Sequence, residues 1–198
     1  MEGFEKERIY EELISLLKKA VCSKGEEKVV LSDEDRGFLL RLCQKHKITA
    51  LVSLALEESE TAFMKERNDA IRRMVLFDAE RDKIFKLLEK EKIKHLPLKG
   101  ILLKDYYPSY GMREMADNDV LIEKSKTEDV KRIMEDLGYT TKAFSISNHD
   151  VYHKDPVFNF EFHWALFFPS KRHQLFYDYF EKMKDRFYRS EERRVGKE

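Results

Sequence analysis

Two aspartates, Asp117 and Asp119, flank Asn118 and come directly before the β-type run Val120–Ile122. Because successive side chains of a strand alternate between its faces, the two carboxylates are expected on one face, about 6.5–7 Å apart. Like charges this close repel each other unless a cation compensates them, and Mg²⁺ takes one or two carboxylates together with substrate phosphates. The pair therefore predicts a site for Mg²⁺ (or Mn²⁺), although a solvated pair that caps a strand would have the same sequence.

A later strand candidate, residues 157–164, alternates aromatic and polar residues. Its aromatic residues would face a core, while Asn159, Glu161 and His163 would share the opposite face. This second face offers a carboxylate and an imidazole, which suit metal binding or proton transfer. An exposed polar strand face would also fit the pattern.

Lys99 and Gly100 form the turn between a predicted strand, residues 93–98, and a predicted helix, residues 100–107. Glycine lets the backbone approach a ligand, and a helix N-terminus favours anions such as phosphate. Alone, the turn is an ordinary strand–helix connection. Together with an Asp-x-Asp strand and a later strand with Glu, it has the layout of a metal-dependent nucleotidyltransferase, in which carboxylates hold two divalent ions.

Two segments carry a family resemblance: LPLKGILLKDYYPSYGMREMADNDVLI (Leu96–Ile122) and HDVYHKDPVFNFEFHWAL (His149–Leu166). They resemble the uncharacterised nucleotidyltransferase family of the polymerase-β-like superfamily. That family pairs a Lys-Gly turn, a Tyr-Pro, an Arg and an Asp-x-Asp with a later His and a Glu-x-His-Trp. The resemblance covers residues 93–166, and the helical N-terminal part fits it less specifically.

The resemblance implies roles for the matching residues. Asp117, Asp119 and Glu161 would be the catalytic carboxylates and the metal ligands, with Mg²⁺ or Mn²⁺ as cofactor. The residues implied to bind substrate or to support the site are Lys99, Gly100, Arg113, His149 and His163. A nucleoside triphosphate and an acceptor of unknown identity would be the substrates.

Three functions stay open. The first is transfer of a nucleotidyl group to an acceptor by a two-metal mechanism, and the second is metal-dependent phosphohydrolase or nuclease activity with the same side chains. The third is a catalytically degenerate domain that binds a nucleotide or a protein partner. Asn118 stands where an apolar residue would pack into the core, and no serine accompanies Gly100. Both departures favour the third function slightly.

The elements that would position these residues predict an α+β fold, with a helical N-terminal region before a small mixed sheet. Helices are predicted at residues 4–21, from a cap at Ser32 onward, and at 61–91, 100–107, 126–137 and 170–187, with a further apolar stretch at residues 48–57. Strands are predicted at residues 93–98, 120–122, 139–144, 149–153 and 157–164. Residues 1–92 would form the helical region and residues 93–188 an incomplete catalytic domain.

The last ten residues, Arg189–Glu198, read RSEERRVGKE and resemble an in-frame translation of a common sequencing adapter. We therefore expect the natural protein to continue differently after Tyr188, which would make this chain a truncated fragment.

Composition bounds the remaining possibilities. The 198 residues include 38 Lys+Arg and 38 Asp+Glu, so bulk charge does not indicate a nucleic-acid partner, although a local basic patch is not excluded. At 42% hydrophobic residues, the chain is too apolar to be disordered. No apolar run approaches the ~18–20 residues that span a bilayer, and the acidic N-terminus lacks a signal-type segment. We expect a cytoplasmic protein without a membrane partner, with Cys22 and Cys43 reduced and buried.

Overall fold

The computed structural model describes residues 2–22, 31–57, 60–168 and 170–195. The helices are α1 (Glu2–Cys22), α2 (Asp33–His46), α3 (Thr49–Val52), α4 (Thr61–Lys90), α5 (Gly100–Leu103), α6 (Thr127–Asp136) and α7 (Gln174–Val195). The strands are β1 (His95–Pro97), β2 (Asn118–Ile122), β3 (Thr140–Ala143), β4 (His149–Lys154) and β5 (Phe158–His163). The predicted α+β class and the order of the elements are confirmed. Among the described helices, none combines the length and the apolar character that crossing a membrane requires.

The chain divides into two compact units. The first contains Met1–Leu76 and Leu103–Met115, and the second contains Phe77–Leu102 and Ala116–Glu198. All three candidate carboxylates belong to the second unit. The proposed division into residues 1–92 and 93–188 stays a prediction, as does the adapter origin of the tail; α7 extends to Val195, and residues 196–198 lie outside the described residues.

The first unit is a helical cluster whose core includes Leu16, Leu39 and Cys43. Its second helix begins as predicted, because the Asp35 N–H donates to the Oγ of Ser32 over 3.2 Å. Burial, with a smaller contribution from Glu114, raises the pKa of the Cys43 thiol to about 12. The expectation of a buried thiol is confirmed there.

The prediction of a buried thiol is wrong for Cys22. It is the last residue of α1 and is exposed, whereas Ile9, Leu13 and Leu16 define the buried face of that helix. An end-of-helix position leaves Cys22 beyond the residues that cover the core.

Gly111 in the first unit provides a test of backbone geometry. Its φ is +82°, and a Cβ there would lie 2.7 Å from Cγ1 and 2.9 Å from Cα of Ile71. Because the left-handed region costs an L-residue about 1–2 kcal/mol and the clash involves backbone, we expect Gly111→Ala to lower the free energy of unfolding by about 2–4 kcal/mol. Urea unfolding measures this change.

Gly37 is the matched control for that substitution. It lies inside α2, where a Cβ would meet only the Nη1 of Arg41 at 3.6 Å. Gly37→Ala should therefore raise the free energy of unfolding by about 0.5–1 kcal/mol, since glycine is a poor helix former. Equal changes in the free energy of unfolding for the two substitutions would contradict the left-handed conformation and the close contact with Ile71 at Gly111.

The sheet of the second unit positions the candidate site. Its strand order is β1-β2-β5-β4-β3, with β2 and β5 parallel and the other neighbours antiparallel. The register places Asp119 opposite Glu161 and His149 opposite His163. Residues that are distant in sequence thus meet on three adjacent strands.

The face of β5 opposite Glu161 and His163 packs into an aromatic core, as predicted. Phe160 and Phe162 are fully buried and lie 6.1 Å apart, with Tyr139 edge-on to Phe160 and Tyr152 edge-on to Phe162. Because successive side chains of β5 alternate between its two faces, burial of Phe160 and Phe162 places Glu161 and His163 on the other face of the sheet.

Helix α6 also ends as predicted. Gly138 has a φ of +83°, and the N–H of Tyr139 donates to the carbonyl of Met134 over 3.0 Å. The left-handed residue turns the chain from α6 into β3.

Candidate active site

Asp119 lies in the second position of β2 and is buried, with 3% of its surface exposed. Its Oδ1 accepts hydrogen bonds from Nε2 of His163 at 2.8 Å and from Nζ of Lys99 at 2.6 Å. Burial alone would raise the pKa of Asp119, but these two cationic or polar donors outweigh burial and hold the pKa below its ordinary value. The carboxylate is therefore kept charged at neutral pH.

Glu161 is the neighbour of Asp119 across the parallel β2–β5 pair. Its Oε2 lies 3.7 Å from Nε2 of His163 and 3.7 Å from Nε2 of His149. The two imidazole rings are 4.9 Å apart. The predicted carboxylate and histidines are thus brought together on one face of the sheet.

Three of these side chains meet the geometric requirement for a metal site. One ligand atom each from Asp119, Glu161 and His163 lies within 4.8 Å of the others, a grouping found in the described part of the chain. Two carboxylates and an imidazole are a donor set that divalent cations accept. The group could therefore hold a metal ion, and ligation through Nε2 of His163 would replace its hydrogen bond to Asp119.

Asp117 precedes β2 rather than lying within it, and it is not a member of that group. Burial and the negative charge of Asp119 raise the pKa of Asp117, and Lys99 opposes the shift. The two aspartates are therefore electrostatically coupled, as their spacing predicts. Whether Asp117 also binds metal stays a prediction.

Lys99 and Gly100 lie where β1 leads into α5. Lys99 has a φ of +44°, a conformation that L-residues rarely adopt, and its side chain is 60% exposed although its Nζ contacts Asp119. Backbone strain of this kind concentrates at functional sites. Gly100 is buried and begins a helix of only four residues. Because so short a helix concentrates little positive charge at its N-terminus, the ammonium of Lys99 is the main positive group at this turn.

Arg113 belongs to the first unit, unlike the other candidate site residues. Its Nε is buried without a hydrogen-bond partner among the described residues. Its implied role toward phosphate or the carboxylates stays a prediction.

Sequence reasoning missed Arg81, a buried residue of α4. Its Nη1 donates to Oδ1 of Asn118 over 3.1 Å, and its Nη2 pairs with Oδ1 of Asp78. Asn118 in turn donates to the carbonyl of Asn159 over 3.4 Å. The polar residue between the aspartates is therefore bonded on the far face of β2, and no motif in the sequence pointed to Arg81.

Comparison with known protein families shows which family the chain belongs to. A sequence model described as "Uncharacterised nucleotidyltransferase" matches residues 32–193, which is most of the chain. The chain belongs to this family. The match includes every candidate site residue, from Lys99 to His163. No curated protein gives a significant match, and no solved structure does.

Proposed function

We propose that the chain transfers a nucleotidyl group from a nucleoside triphosphate to an acceptor, with Asp117, Asp119 and Glu161 as the metal-binding carboxylates. The observation that carries the proposal is the pairing of Asp119 with Glu161 on parallel strands, beside the Lys-Gly turn. Family membership supports the same reaction class.

Each side chain has a task in this proposal. His163 holds Asp119 in place through its Nε2–H, and the buried Asp119 stays ionised because its pKa is low. Lys99 balances the charge of Asp119 and, on its flexible stem, can turn its ammonium to the triphosphate. A divalent ion, when bound to the carboxylates, would neutralise phosphate charge and lower the pKa of the acceptor hydroxyl.

The reaction is an in-line displacement. The acceptor oxygen bonds to the α-phosphorus while the bond from that phosphorus to the bridging β-phosphate oxygen breaks. Pyrophosphate leaves with the electron pair, and the hydroxyl proton goes to solvent. Hydrolysis would use water instead, so labelled acceptor distinguishes transfer from a phosphohydrolase.

Calorimetry of the full chain with each of the four nucleoside triphosphates tests the proposal. We expect binding with Mg²⁺ that is lost in EDTA and is at least about tenfold weaker in Asp117→Ala/Asp119→Ala. The matched control, Asp129→Ala/Asp136→Ala, removes two carboxylates from α6, at a distance in sequence from the site, and should bind like the unmodified chain. Binding that ignores both EDTA and the site variant would overturn the assignment of these carboxylates.

A further inference from the structure

His149 carries an inference beyond the carboxylates. It begins β4, opposite His163 of β5, and its side chain is 29% exposed. Its Nε2 lies 3.7 Å from Oε2 of Glu161. The ring therefore borders the candidate site and remains open to an ion from solvent.

The other ring nitrogen, Nδ1, lies beside two side-chain oxygens that suit a protonated Nδ1. Nδ2 of Asn148 donates to the carbonyl of Ala165 over 2.9 Å, which orients Oδ1 of Asn148 as an acceptor. Ser147 Oγ donates to that Oδ1 over 3.2 Å, while Nδ1 of His149 lies 3.1 Å from the same Oγ and 3.4 Å from Oδ1. With the Ser147 hydroxyl directed to Asn148, both oxygens can accept from an Nδ1–H, and that tautomer leaves the lone pair of the neutral ring on Nε2.

That lone pair and the Glu161 carboxylate are two electron donors separated by 3.7 Å. The separation is too long for a hydrogen bond. It fits two ligands of one ion, because ligand bonds of about 2.0–2.1 Å place the ligand atoms about 3–3.7 Å apart, depending on the angle. A metal-bound histidine also typically donates its second ring N–H to an oxygen, and Nδ1 lies within reach of two such oxygens, those of Ser147 and Asn148.

We propose that His149 Nε2 and Glu161 Oε2 together bind a divalent ion of the first transition series in preference to Mg²⁺. This inference rests on the proposed function, since Glu161 is one of its carboxylates. Imidazole suits zinc and the later transition ions, whereas Mg²⁺ takes oxygen ligands and keeps several waters. His149 thus acts as the residue that selects the metal at this site.

Metal binding itself provides the test, with Zn²⁺ and Mg²⁺ titrated separately into the full chain without nucleotide. We expect His149→Ala to weaken Zn²⁺ binding about tenfold or more and to leave Mg²⁺ binding within about twofold. His149→Phe keeps a ring packed against His163 and should give the same result, which separates a lost ligand from lost packing. His153→Ala, an exposed histidine of the same strand, should change neither affinity.

Co²⁺ gives an independent readout, because its visible spectrum changes when a nitrogen ligand is lost. We expect His149→Phe to alter that spectrum and His153→Ala to leave it unchanged. Unchanged Zn²⁺ affinity in both His149 variants, or equal weakening of Zn²⁺ and Mg²⁺, would overturn the inference.

Glu161→Gln separates the inference from the proposed function. It should weaken both ions, and it should weaken Mg²⁺-dependent nucleotide binding whether or not His149 is a ligand. Loss of nucleotide binding in Glu161→Gln, with unchanged Zn²⁺ affinity in the His149 variants, would remove only the metal preference. Intact metal and nucleotide binding in Glu161→Gln would overturn both.

Discussion

Asp119→Asn is expected to reduce nucleotidyl transfer by about a thousandfold or more while the protein stays folded. The amide keeps the size of the side chain and an oxygen that can accept from His163 and Lys99. It removes the negative charge that a divalent ion requires from this buried ligand. The loss should therefore appear in turnover and not in the fold.

Transfer can be measured without knowing the acceptor in advance. ATP labelled at the α-phosphate is incubated with the chain and with separate pools of small molecules, RNA and proteins, and labelled product and pyrophosphate are both quantified. Asp136→Asn, an exposed carboxylate at the end of α6, is the matched control and should retain full turnover. Transfer by Asp119→Asn at the unmodified rate would exclude Asp119 as a catalytic carboxylate.

Much of this site could be predicted from sequence because its residues follow strand alternation. Glu161 and His163 stand two apart in an aromatic strand, so one buried aromatic face fixes the position of the opposite polar face. Asp119 follows the same rule on β2. Periodicity of two therefore predicts which side chains share a face.

The pairing of strands could not be predicted in the same way. The carboxylates of Asp119 and Glu161 meet because β5 inserts between β2 and β4, and strand order depends on long-range packing. The same insertion places His149 beside His163. The boundaries of β2 also depend on pairing, which is why Asp117 lies just outside the strand.

Arg81→Met is expected to lower the free energy of unfolding by about 3 kcal/mol. The Arg81 side chain is 7% exposed and bonds to Asn118, which is fully buried. Methionine fills a similar volume but leaves the Asn118 amide oxygen without this donor. The penalty arises mainly from this unsatisfied oxygen in the core, with a smaller part from the lost ion pair to Asp78, so urea unfolding should show a lower midpoint.

Two further variants test that cause. Arg81→Met combined with Asn118→Val replaces both partners with apolar groups and should recover at least half of the loss, since the unpaired oxygen is gone. Arg132→Met removes a 59%-exposed arginine that pairs with Asp129 on α6, and should change stability by less than about 0.5 kcal/mol. Additive losses in the double variant would show that Arg81 and Asn118 are not energetically coupled.

The network also accounts for a polar residue between the two aspartates. Asn118 and Asp119 point to opposite faces of β2, so Arg81 holds the strand from one side while His163 and Lys99 hold Asp119 on the other. If the Arg81–Asn118 hydrogen bond positions the Asp119 carboxylate, Arg81→Met/Asn118→Val should recover stability yet bind Mg²⁺ and nucleotide more weakly than the unmodified chain. Calorimetry on that variant would show the difference, and full affinity would mean that Asn118 serves stability alone.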